Sequence, residues 1–261
     1  VIALDLGLGA IEQDFWRIVF LMTRIGAGLL AAPFFGAASV PMMVRVCLTA
    51  ALAIFVGVWM PAVQPPEALF SADGMLAVAG EVAIGLALGF VLQIAFAAPV
   101  IAAEVIGGAM GMSMAMAADP NGGGQTTAFG QYFTIVLTLI FLALGAHLQW
   151  IALLAESYRT FPPGDTWMGA DGFAQVAGFA GAMFETAVRI ALPVTLVLLL
   201  VQMVTGVLSR SAPSLNLFAL GLPAGVLAGI AALIIAAPMI YDQFGDIVQV
   251  SIDQTTGVLV R

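Results

Sequence analysis

The sequence predicts an all-α, polytopic membrane-type fold of about six hydrophobic segments, organised as a single unit over residues 1–261. Three observations carry that expectation. Hydrophobic residues make up 62% of the chain and charged residues only 8%, against about 25% charged in an ordinary soluble domain. The apolar residues fall in runs that approach or exceed the roughly 20 residues a spanning helix needs. Glycine and proline punctuate these runs at intervals that suit short turns.

The segments follow from counting between charges. Twenty uncharged residues separate Arg24 from Arg45, but Pro33, Gly36 and Pro41 interrupt them and place a turn near 36–41. The first helix is expected over about 15–35. Asp5, Glu12 and Asp14 lie ahead of it, the opposite charge to that of a signal peptide, so it is expected to be retained. The second helix should run over about 41–60, closed by Met60-Pro61 and the Pro65-Pro66 pair. Twenty-two uncharged residues separate Glu81 from Glu104, which predicts a third helix from about 74 to Pro99 or beyond. A fourth is expected over about 127–154. A loop with the turn signal Phe161-Pro162-Pro163-Gly164 follows. The fifth helix should occupy about 174–208 with a possible break at Pro193, and the sixth about 215–240 after a tight turn at 209–213. The tail from Tyr241 has a strand-like or frayed composition and receives no assignment. Too few arginines lie in any loop for the positive-inside rule to set orientation.

Composition also excludes functions. The chain contains no lysine; its seven cations are all arginines, and its net charge is −8. A P-loop nucleotidase needs a lysine at the phosphates and a Schiff-base enzyme needs one as nucleophile. An acidic, lysine-free chain has no basic footprint for nucleic acid and no polybasic patch for anionic lipid. Cys47 and His147 each stand alone, which leaves neither an internal disulfide nor a zinc site. The acids are scattered without a paired cluster. No catalytic residue, metal or cofactor is expected.

Charges that lie within or beside the apolar runs are Arg24, Glu81, Glu104, Glu185 and Arg189. Intramembrane charge is a functional signal by default, yet no relay of acids and histidines is present. Glu185 and Arg189 are four apart and can neutralise each other on one helix. Small residues recur at the same spacing: Gly85 and Gly89, then Gly221, Gly225 and Gly229. They let helix backbones approach closely, either within this chain or against another subunit.

Residues 104–127 stand apart. Met110, Met112, Met114 and Met116 fall at alternate positions, with glycines at 107, 108, 111 and 122–124 and with Asp119-Pro120 between. A spacing of two places side chains on one face of an extended chain but on opposite sides of a helix, and the glycines disfavour a stiff helix. Irregular backbone at membrane depth must be enclosed by protein or line a water-filled cavity. Methionine adapts to irregular gaps, which suits a seal that deforms and closes again. The plainer alternative is a connecting loop with incidental methionines.

The same segment carries a family resemblance. Glu104 through Gly111, then Met112-Ser113 and Asp119-Pro120, resembles the central signature of the flagellar biosynthetic FliR family, the T component of type III secretion export gates. Pro41-Met-Met-Val-Arg45, Phe141-Leu-Ala-Leu-Gly145-Ala-His147 and Leu192-Pro193-Val194 are similar to further elements of that family. Most specific is Ser209-Arg210-Ser-Ala-Pro213-Ser-Leu-Asn216-Leu-Phe218-Ala-Leu-Gly221-Leu-Pro223. The resemblance spans nearly the whole chain in order. Ser214, Ala224-Gly225 and Ala146 depart from the family pattern.

The resemblance implies a non-enzymatic subunit of the bacterial inner membrane and flagellar basal body. Family members assemble with P-type and Q-type export gate subunits into a helical pore of tilted hairpins, near the larger export gate membrane proteins, through which unfolded protein substrates pass. A loop of this subunit plugs the channel. The matching residues here are 106–122, including Gly107, Gly108, Met110, Gly111, Met112, Met114, Met116, Asp119 and Pro120. A virulence-type T component and a small-molecule transporter are the alternatives. An intramembrane serine protease built on Ser113 and His147 is disfavoured, because the second glycine of a Gly-x-Ser-x-Gly element is missing.

Overall fold

In the computed structural model the described residues are 8–60, 63, 64, 66, 71–112, 128–163, 170–211 and 217–259. They form seven helices and no strand: α1 (Leu8–Ala31), α2 (Met42–Trp59), α3 (Ala72–Ala109), α4 (Ala128–Ala143), α5 (Ala146–Thr160), α6 (Ala170–Ser211) and α7 (Leu217–Leu259). α2, α3, α6 and α7 are long and apolar enough to cross a membrane; α4 and α5 together make a fifth candidate, bent by 70°. α1 carries Glu12, Asp14, Arg17 and Arg24 and is not among them.

Helix ends follow local chemistry. Pro41 precedes α2 with φ −58° and ψ 141°, the extended geometry proline favours. At the far end, the Arg17 guanidinium donates to the carbonyls of Gly57, Met60 and Val63 at 2.8–2.9 Å. It thereby satisfies acceptors that a helix terminus leaves open. Arg45 does the same for Ala37 and Val40 in the turn before α2.

One sequence expectation changes, and one segment left unassigned gains a structure. The fourth segment is two helices, because Gly145 adopts φ +67°, the left-handed conformation that ends helices and that glycine reaches without strain. Its carbonyl then accepts from Leu148 at 3.0 Å and starts α5 in the new direction. The tail is helical: α7 continues through Pro238 to Leu259. Phe244, Ile247, Val248, Ser251, Ile252, Thr255, Val258 and Leu259 are all buried, a three-and-four spacing that defines one helix face. Pro99 and Pro193 likewise lie inside α3 and α6 without ending them.

The chain divides into two compact units. The first comprises Val1–Ile94, Gly145–Phe179 and Val250–Arg261. Its centre is α1 against α3. A Cβ added to Gly85 would overlap the Arg24 carbonyl and lie 3.0 Å from the Ala27 Cβ, and one at Gly89 would overlap the Gly28 carbonyl and the Ala31 Cβ. Gly85 and Gly89 therefore let α3 rest directly on the α1 backbone. Trp150 of α5 donates to the Leu88 carbonyl at 3.2 Å and Tyr158 to the Leu21 carbonyl at 2.7 Å, both fully buried.

The second unit comprises Ala95–Leu144 and Ala180–Gln249. Phe133 of α4 meets Phe244 of α7 edge-on, with ring centres 5.4 Å apart, and Phe96 meets Phe141 in the same way at 5.6 Å. An apolar cleft of about 530 Å³ lies beside them, lined by Phe129, Tyr132, Ile230, Ile234 and Tyr241 among others.

Candidate functional site

The second unit holds the root of the methionine-bearing segment. α3 stays helical through Ala109, so Gly107 and Gly108 belong to its last turn and not to an extended loop. Met110 closes that turn by donating to the Ile106 carbonyl at 2.9 Å. Gly111 then takes φ +83° and donates to Gly108 at 3.0 Å, the left-handed exit that a Cβ would penalise. Helical geometry wins up to residue 109 because its carbonyls find partners within the helix. Met112 is half-buried. Met114, Met116, Asp119 and Pro120 lie outside the described residues.

The glycine stripe on α7 meets this root. Met110 is 2% exposed. A Cβ at Gly229 would stand 2.7 Å from its Cγ and 3.0 Å from its sulfur, and one at Gly225 would stand 3.2 Å from its carbonyl oxygen. A Cβ added at Gly221 would meet no other part of the described residues within 4 Å. The structure thus joins Met110 to two of the three glycines. It adds a residue that sequence reading passed over: Gln202 of α6 donates to the Ala109 carbonyl at 2.7 Å. The available signal was an amide inside an otherwise apolar run, which is costly there unless it finds a partner.

Polar chemistry in the first unit is concentrated at Arg24, which is completely buried. It makes five hydrogen bonds: two to the Glu81 carboxylate at 2.7 and 2.8 Å, two to Ser157 (carbonyl and hydroxyl), and one to the Phe161 carbonyl at 2.8 Å. All five guanidinium N–H donors are occupied. The Tyr158 ring lies 4.1 Å from the guanidinium carbon, within cation–π range. Arg24 therefore pairs with α3 while capping the carboxy end of α5. Glu185 and Arg189 form the expected pair at 2.6 Å, both largely exposed.

Neither arrangement resembles a catalytic centre. Arg24 and Glu81 neutralise each other in a saturated network with no room for a reacting group. Among the described residues no three His, Cys, Asp or Glu side chains could share a metal ion, and the buried Nδ1 of His147 has no hydrogen-bond partner. A catalytic base needs an orienting group at that atom.

Comparison with known proteins decides the family. Residues 15–250 match the model for bacterial export proteins, family 1. The chain belongs to this export family. It is 32% identical to the flagellar biosynthetic protein FliR of Pectobacterium carotovorum subsp. carotovorum, over 88% of this chain and 86% of that one. It is 30% identical to the FliR of Escherichia coli K12, over 87% and 84%, and 27% identical to that of Bacillus subtilis 168, over 97% and 98%. FliR-family membership, with four or five helices fit to cross a bilayer, makes it a membrane-embedded component of the flagellar export apparatus.

Proposed function

We propose that this chain is the non-enzymatic T component of the flagellar type III protein export gate. With P-type and Q-type partners it forms the inner-membrane channel through which unfolded flagellar proteins pass, near the larger export gate membrane proteins. Residues 106–122 supply its plug, with Met110, Met112, Met114 and Met116 as the deformable apolar contact. One observation carries the plug reading: α3 brings its helical backbone to Ala109, seats Met110 on Gly225 and Gly229, and turns the chain at Gly111 just before the remaining methionines. A dewetted apolar constriction blocks ions without charge, and methionine tolerates being displaced and repacked.

Assembly with helical partners is supported by bare apolar surface. In the most apolar stretch of α3, 67% of residues are buried within the chain, against 17–22% in α2, α6 and α7. Leu196, Leu200, Met203, Val204 and Val207 of α6 are all exposed. So is Ile234 at the cleft on α7. Lipid or partner helices must cover these faces. The flagellar assignment over a virulence-type system draws on the names of the relatives described above.

Co-expression with the two small partner proteins tests the assembly. The expected result is a stoichiometric complex that survives purification and gives a single native mass. A chain that purifies alone, with both partners expressed and in the membrane, would remove the proposal.

A further inference from the structure

The carboxy end of α3 is gripped by side chains from far along the chain. Gln202, 93 positions later, donates to the Ala109 carbonyl at 2.7 Å. The Met110 side chain lies against Gly229, and its carbonyl oxygen against Gly225. The next residue, Gly111, has the left-handed φ of +83° that glycine adopts at no steric cost. The grip thus ends where the backbone has a natural pivot.

Neither contact is required to form the helices themselves. α3 closes with its own backbone bonds, Met110 to Ile106 and Gly111 to Gly108, and Gln202 is exposed on an otherwise apolar stretch of α6. A neutral hydrogen bond and one flexible side chain on a glycine notch make a weak and reversible hold.

We propose that Gln202 is a positioning residue, and that with Gly225 and Gly229 it forms a releasable latch seating Met110 at rest and freeing it during substrate passage. This rests on the plug reading and adds how the root of that segment is held. It does not require that the latch touch substrate.

Two measurements on the complete complex test it. In a Cys47→Ser background, the pair Met110→Cys and Gly229→Cys should form a disulfide readily in the resting complex. With an export substrate stalled in the channel, disulfide formation should fall several-fold. Equal formation in both states would show that the seat does not release. Absence of the bond in an assembled resting complex would show that there is no seat.

Gln202→Met keeps the shape and removes the donor. It should raise resting ion conductance about two- to tenfold, the shift expected from losing one neutral hydrogen bond in a two-state equilibrium. Gln202→His, which keeps an N–H at similar reach, should restore most of the seal. If the cysteine pair fails to assemble, this comparison decides alone. Wild-type conductance in Gln202→Met, beside a leaky variant lacking residues 112–122, overturns the latch and leaves the plug standing. Wild-type conductance in the deletion variant removes the plug reading itself.

Discussion

Replacing Arg24 by methionine is expected to destabilise the chain by about 3–5 kcal/mol, the cost of stripping one partner from a buried ion pair. Glu81 would be left buried without its cation, and the Ser157 and Phe161 carbonyls would each lose a guanidinium hydrogen bond. The double variant Arg24→Met, Glu81→Met should recover the part due to the orphaned charge, since apolar replacement of a buried pair is often tolerated. It should keep a residual penalty of about 1–3 kcal/mol for the guanidinium hydrogen bonds lost at α5. Arg24→Lys separates charge from geometry, because an ammonium has three donors where five are used. Unfolding in detergent, followed by loss of helicity, ranks the variants. Arg24→Lys within about 1 kcal/mol of wild type would show that the guanidinium fork is dispensable.

The second large effect belongs to the glycines of α3. Gly85→Ala or Gly89→Ala would place a methyl group on α1 backbone that cannot move aside as a side chain can. The helices must separate, at a cost of at least the 1–3 kcal/mol typical of overpacking, and Gly85→Leu should abolish accumulation of folded chain. Gly178→Ala is the matched control. Gly178 lies in α6, where an added Cβ would meet no other part of the described residues within 4 Å, so alanine there should be neutral or slightly stabilising through helix propensity. Equal stability of Gly85→Ala and Gly178→Ala, measured on the isolated chain, would contradict the close approach.

The chemistry at Arg24 recurs at two more of the chain's arginines. Arg17, Arg24 and Arg45 each direct several N–H groups at backbone carbonyls near helix ends or turns. Water is scarce there and an open acceptor is costly. A planar fork holds two or three carbonyls in a fixed geometry and still leaves donors for other partners, as at Arg24.

Helix existence was legible because charges and prolines bound the apolar runs, and those runs have few other ways to satisfy their backbone in lipid. The break at Gly145 was not, since it lies inside a continuous apolar stretch and depends on a positive φ that composition does not reveal. The tail could not be assigned for another reason. Its valines, isoleucines and threonines suggest a strand, but from Phe244 to Leu259 the buried positions recur every three and four residues. Period, not residue type, carried the information. The Arg24–Glu81 pair spans 57 positions, beyond any local spacing rule, although the presence of both charges in apolar surroundings was visible. At the candidate site, Met110 and Gly111 could be named from the methionine and glycine pattern. Their seat on Gly225 and Gly229 and the grip of Gln202 come from α7 and α6, more than 90 residues away, and only tertiary packing reveals them.

Ion conductance of the assembled complex tests the central claim most directly. The complete complex is reconstituted in planar bilayers, with Met110, Met112, Met114 and Met116 either retained or all replaced by serine. Equal recovery of the two complexes is verified beforehand. The account predicts a tight wild-type channel and a serine variant with substantially higher resting conductance, because a polar lining rehydrates the constriction. An assembled serine variant that seals as tightly as wild type would place the barrier on other subunits and reduce residues 106–122 to a connector.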